Sequence, residues 1–187
     1  AADTTGVVTA SITETDASTL ATLNETGHAY TITIGDTSVT AANLNTIDAV
    51  TTVAITASAA TTITGSASAV NTALSSSGIN GLGEEFVTLS GTTSVADANT
   101  VSGKTTGTVT ATISEGDAAT LVTLNETTNA YTITVTDGSV SAANLITLDG
   151  LTSVAVAVNS TTITGSASDV LSVYNANTAG TISGLGN

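Results

Sequence analysis

Short runs in which apolar and polar residues alternate recur throughout the 187-residue chain: 30–34 (YTITI), 53–57 (VAITA), 86–89 (FVTL), 108–113 (TVTATI), 131–135 (YTITV) and 154–158 (VAVAV). Alternation with β-branched residues places one row of side chains on a buried face, so each run predicts a strand. A second short run, such as Ser38-Val39, Thr62-Ile63 or Ser139-Val140, often comes just before a Ser, Thr or Asp. Those polar residues are Asp16, Thr40, Ser66, Ser94, Asp117, Ser141 and Ser166. Four positions on stand Leu20, Leu44, Val70, Ala98, Leu121, Leu145 and Val170; seven on stand Leu23, Ile47, Ala73, Val101, Leu124, Leu148 and Val173. An oxygen-bearing cap ahead of an Ala-rich stretch with this spacing predicts a short helix.

The grammar repeats at two scales. Residues 8–39 and 109–140 match closely at an offset of 101, and the match continues through 41–44 with 142–145 and, shifted by one or two residues, to Gly81-Leu82-Gly83 with Gly184-Leu185-Gly186. Within the longer repeat, caps follow one another every 23 to 28 residues. A strand and a short helix recurring at this period predict a β-solenoid of parallel strands, with one strand region and one short helix per coil of roughly 24 residues. The expected organisation is a single continuous array over 1–187, with about seven short coils in long repeats 1–101 and 102–187, the second incomplete. Ile32, Ile34, Val53, Ile55, Val109, Ile113, Ile133, Val135, Val154 and Val156 are expected to point inward. The alternative is two tandem β-sandwich domains, since 101 residues also suits an immunoglobulin-like size. The chain starts just after a helix position and stops at Asn187, ahead of where a strand would follow, with no polar capping repeat at either end. That predicts a piece of a longer array or a subunit that stacks end to end.

Composition narrows the functions. One Lys or Arg stands against 15 Asp and Glu, for a formal charge of −14, and there is one His and no Cys, Pro, Met or Trp. Nucleic-acid binding needs cations to displace counterions, and Lys104 alone cannot supply them. No apolar run approaches the ~20 residues that span a bilayer, so membrane insertion is not expected. Thiolate metal sites are impossible without cysteine. Mean hydropathy of +0.38 and the absence of Pro argue for a folded chain with a core of Val, Ile, Leu and Ala.

The phrases AANLNTIDAVTT, SAANLITLDG, TTITGSAS, ATLNETGHAYTITI and SVADANT resemble the tandem repeats of giant bacterial cell-surface proteins, of the kind required for swimming in marine cyanobacteria. Resemblance to S-layer and large secreted adhesin repeats is weaker. It implies an extracellular or cell-surface location in a bacterium and a non-enzymatic structural role, and carries over no active-site residue. The calcium-binding nonapeptides common in such proteins are absent here.

Candidate chemistry is sparse. His28 is replaced by Asn129 in the second repeat, which marks it as an exposed turn residue, and without another imidazole the many serines lack a base. Asp16 and Asp117 read as helix caps, with Glu14 and Glu115 as solvated turn residues. No cofactor is expected, but calcium wants oxygen ligands. The candidates are Asp36 and Asp137 in strand-ending turns, and Glu84 and Glu85 after the longest insertion. A threonine ladder of the ice-binding type is broken at Ala54, Ala155 and Ala157. The sequons at Asn24, Asn125 and Asn159 are read as chance matches, the first two suiting a helix C-terminus. These features predict a non-enzymatic extracellular repeat segment that forms a rod, a filament or a surface layer and self-associates through its solenoid ends. The alternative is an adhesin-type binding module, calcium-assisted or not, for a glycan or surface ligand. Tyr30, Tyr131 and Tyr174 are its few aromatic platforms.

Overall fold

Every Ser, Thr or Asp read as a cap begins a helix. In the computed structural model, which describes residues 5–185, Asp16 accepts the N–H of Thr19 at 2.7 Å and Asp117 that of Thr120 at 2.9 Å. The hydroxyls of Thr40, Ser66, Ser94, Ser141 and Ser166 accept the N–H three residues on at 3.1 to 3.3 Å. Each bond satisfies one of the orphan donors of a first helical turn. Residues 1–4, 186 and 187 lie outside the described residues, and with them the end alignments and the match at Gly186.

The chain divides into two compact units. The first runs to Ser90 and takes in Gly103–Gly107; the second holds Gly91–Ser102 and the chain from Thr108. The first contains β1 (Thr9–Ser11), α1 (Ala17–Leu20), β2 (Ala29–Thr31), β3 (Ser38–Thr40), α2 (Ala41–Val50), β4 (Ile55–Thr56), β5 (Thr62–Gly65), α3 (Ala67–Ser75) and β6 (Ile79–Asn80). Strand β7 (Phe86–Thr93) passes from the first unit into the second. The second unit continues with α4 (Val95–Ser102), β8 (Val109–Ile113), α5 (Ala118–Leu121), β9 (Ala130–Thr132), β10 (Thr134–Val135), β11 (Ser139–Ser141), α6 (Ala142–Leu151), β12 (Val156–Val158), β13 (Thr162–Thr164), α7 (Ala167–Ala179) and β14 (Ile182–Ser183).

Strands pair in parallel with their equivalents one short repeat later. Val39 stands beside Ile63, Ile55 beside Ile79 and Ile63 beside Val87 in the first unit. Ala111 stands beside Tyr131, Val140 beside Ile163 and Val156 beside Ile182 in the second. Apolar residues thus meet apolar residues in register, and Leu44, Ile47, Ile55, Ile63, Leu145, Leu148 and Val156 are fully buried. Each contributes on the order of 1.5–3 kcal/mol relative to exposure.

The architecture is α/β rather than a β-solenoid. Seven helices occur among the described residues, parallel sheets include one of five strands, and helices pack on one another as a layer of their own, α2 on α3 and α6 on α7. Several of the Ala-rich stretches run well beyond one turn: α2 and α6 reach 10 residues and α7 reaches 13, while α1 and α5 stop at four. Parallel strands with packed helices make the organisation Rossmann-like α/β. The parallel pairings and the helices equally overturn the sandwich alternative, which requires antiparallel sheets. Two expected core positions also differ. Val53 and Val154 are exposed, because the hydroxyls of Thr51 and Thr152 accept their N–H groups at 3.1 Å and hold them in bends before β4 and β12 begin.

Candidate functional site

Side chains that could carry chemistry are mostly turned onto the backbone. Asp36 Oδ2 accepts the N–H of Ala17, the first residue of α1, at 2.7 Å. Asp137 does the same for Ala118 of α5, also at 2.7 Å. Glu115 reaches Val95, the first residue of α4, with both carboxylate oxygens at 3.1 Å. In each case a carboxylate 19 or 20 residues further along the chain satisfies a helix N-terminus and favours its dipole. Glu115 is therefore no solvated turn residue. Its repeat partner Glu14 instead accepts the nearby N–H groups of Thr15 and Asp16 at 2.8 and 2.9 Å.

The caps Asp16 and Asp117 have exposed carboxylates whose proton affinity is lowered. Asp16 is stabilised in its charged form by the Ser18 hydroxyl and then the Thr19 N–H, Asp117 by the Thr120 hydroxyl and then its N–H. Among the described residues no group of three or more His, Cys, Asp or Glu side chains is placed to hold a metal ion. Of the calcium candidates, Asp36 and Asp137 lie in different units as helix caps, whereas Glu84 and Glu85 line one hollow.

His28 is buried, not exposed, and so is Asn129. His28 Nδ1 accepts the N–H of Val8 at 3.1 Å, and Asn129 Oδ1 accepts the N–H of Val109 at 2.7 Å. The two residues interchange between repeats because both place an acceptor at the same reach. Tyr30 and Tyr131 are buried, so neither is a platform for sugar; Asn129 Nδ2 donates to the Tyr131 hydroxyl at 2.9 Å, and burial pushes the pKa of that hydroxyl upward. Tyr174 is exposed on α7, and the sequon residues Asn24, Asn125 and Asn159 are exposed.

One hollow of the first unit holds an aromatic residue not singled out in the sequence. It measures about 420 Å³ and is lined by Ser58, Ala60, Thr61, Gly81, Leu82, Glu84, Glu85 and Phe86. Phe86, the chain's single Phe, is 59% exposed while its strand neighbours Val87 and Leu89 are buried. The alternation within FVTL carries that signal: if Val87 and Leu89 face inward, Phe86 faces out. A wider polar hollow of about 580 Å³ lies along α2 and α3, where Ser76 donates to Asp48 at 2.7 Å. No family model, curated protein or solved structure matches the chain.

Proposed function

We propose that this chain is a non-enzymatic structural repeat segment of a bacterial extracellular filament or surface layer, and that it associates with further copies through terminal elements of the repeat. The uncovered face of α7 carries the reading. That helix has a single buried residue, Val173, and presents Leu171 at 61% and Tyr174 at 42% exposure, three residues apart on one face. Beside it, among the described residues, β14 pairs with β12 alone and lies at the edge of their sheet. An apolar face next to a free strand edge suits a second copy bringing its own helix and strand. The chain's formal charge of −14 keeps copies apart elsewhere. The commitment of His28, Asp36, Glu115 and Asp137 to backbone donors argues for a scaffold rather than for catalysis. The resemblance to giant surface-protein repeats points the same way, as does a chain with no helix long and apolar enough to cross a membrane among its described residues.

Sedimentation and negative-stain microscopy test the reading. Concentration-dependent oligomers are expected, and L171E with Y174E should return them to monomers without loss of secondary structure. A monodisperse monomer at high concentration, or oligomers indifferent to both substitutions, would refute it. The hollow beside Phe86 favours a second reading, an adhesin-type binding module, and a reproducible hit on a glycan array that F86A removes would promote it.

A further inference from the structure

We propose that the outer face of β1 and α1 docks a strand followed by a helix, patterned like Gly91–Ser102 and presented by another repeat chain in which that segment is uncommitted. The second unit contains both such a face and its occupant. There β8 has β9 on one edge and the end of β7 on the other, and α4 packs against β8. Four contacts fix the occupant. The Ser114 N–H donates to the Thr93 carbonyl at 2.9 Å, and the Glu115 carboxylate accepts the Val95 N–H at 3.1 Å. The Asn99 Nδ2 donates to the Thr123 carbonyl at 2.9 Å, and its Oδ1 accepts the Asn125 N–H at 2.9 Å. Val95, Ala98 and Val101 are buried along α4.

The first unit carries the same face without the occupant. At the offset of 101, Thr13, Glu14, Thr22 and Asn24 stand where Ser114, Glu115, Thr123 and Asn125 do. Among the described residues β1 pairs with β2 alone, and none takes up the Thr13 N–H, the Thr22 carbonyl or the Asn24 N–H. Glu14 has no helix to cap and accepts from Thr15 and Asp16 instead. Val109, Ile113 and Leu124 are buried, whereas their equivalents Val8, Ile12 and Leu23 are partly exposed. A free strand edge beside apolar side chains is a surface made for pairing. The polar groups around it select the partner. Glu14 suits a helix N-terminus, whose N–H groups and dipole favour a carboxylate. Thr22 and Asn24 suit one side-chain amide that donates and accepts, as Asn99 does from α4. Helix α7 of a second copy does not qualify, because Leu171 holds the place after the Ser166 cap that Asn99 holds after Ser94. That the partner is a repeat chain rests on the association proposed above; the shape of the face is independent of α7.

The test adds a synthetic peptide of residues 86–102 to the whole chain, as the parent and with L171E and Y174E, and follows amide NMR shifts. Saturable shifts at Thr13, Thr22 and Asn24 are expected in both. A peptide carrying N99L should bind about tenfold more weakly, because it loses two hydrogen bonds. E14Q in the chain should weaken binding about threefold. A peptide carrying V95D and V101D should not saturate these amides. No saturable shift at the three residues, shifts confined to Ser114, Thr123 and Asn125, or equal binding of the V95D and V101D peptide would overturn the proposal. Oligomers that depend on Leu171 and Tyr174 without peptide binding would sink this inference and leave the proposed association standing. Peptide binding by a chain that stays monomeric would do the reverse.

Discussion

The hydroxyl of Thr152 takes the place of a whole strand residue opposite Tyr131. It donates to the carbonyl oxygen of Tyr131 at 2.7 Å and accepts from the N–H of the same residue at 2.9 Å. A parallel strand would offer one backbone acceptor and one donor to such a residue; here one side-chain oxygen offers both. Thr51 repeats the arrangement at Tyr30, at 2.8 and 3.0 Å. The device lets the chain bend after α2 and α6 without leaving a buried tyrosine backbone unpaired.

Replacing Thr152 by Val keeps the shape and removes the oxygen. The N–H and C=O of Tyr131 and the N–H of Val154 then lose a partner, and the Tyr131 site is buried. A loss of about 2–4 kcal/mol is expected, since unsatisfied buried polar groups cost ~1–3 kcal/mol each. T51V should cost less, because its site is only part-buried. Denaturant midpoints compare the two; a change below about 0.5 kcal/mol for T152V would show that these bonds carry no weight.

The exchange of His28 for Asn129 leads to a sharper expectation. The H28N variant keeps an acceptor for the Val8 N–H and should lie within about 0.5 kcal/mol of the parent, whereas H28A should lose about 1–2 kcal/mol. Equal stability of the two variants would mean that the hydrogen bond is incidental.

These two sites also mark how far the sequence could be read. Caps and strands were legible because each rests on local chemistry or on periodicity: Ser66 caps α3, and Thr62-Ile63 lies in β5. The architecture was misread because cap and period locate a helix start but not its length. Whether α2 runs for one turn or 10 residues depends on the packing of Leu44 and Ile47 beneath it and α3 beside it. The surroundings of the site residues were hidden for a different reason. Asp36 and Asp137 look like free turn carboxylates until the fold brings each to a helix N-terminus 19 residues back.

Acid should fray α1 and α5 only once the pH falls below the ordinary carboxyl value. The Asp16 and Asp117 carboxyls hold folded pKa values below the ordinary 3.8, so both bind protons less readily folded than unfolded. Their contribution is therefore fully present above that ordinary value and disappears as the pH falls through the lowered folded values. Side-chain carboxyl shifts of both residues, followed by NMR, should titrate with midpoints under 3.8, together with the amides of Thr19 and Thr120. Midpoints at or above that value would contradict the capping bonds.

Asp137 is expected to behave as a structural acceptor. D137A leaves the Ala118 N–H without its carboxylate and should cost about 1–2 kcal/mol. D137N keeps an oxygen and should cost less. Thermal melts of both variants and the parent, each with and without calcium, discriminate the roles. A calcium-dependent rise in melting temperature that D137A abolishes would show that this carboxylate serves a metal after all.

Two glycines should respond in opposite directions to alanine. A Cβ on Gly107 would run into the backbone of Glu85 and of Phe86, where β7 begins, and backbone cannot withdraw like a flexible side chain. G107A is therefore expected to destabilise by about 1–3 kcal/mol, as overpacking does. Gly150 lies inside α6, nothing stands within 4 Å of an added Cβ, and the equivalent residue of the first long repeat is already Ala49. Alanine there removes backbone freedom from the unfolded chain and improves helix propensity, for a gain of about 0.5–1 kcal/mol. Chemical denaturation of G150A and G107A reads both effects on one scale. A destabilised G150A would show that the partly exposed end of α6 needs a freedom that α2 does without.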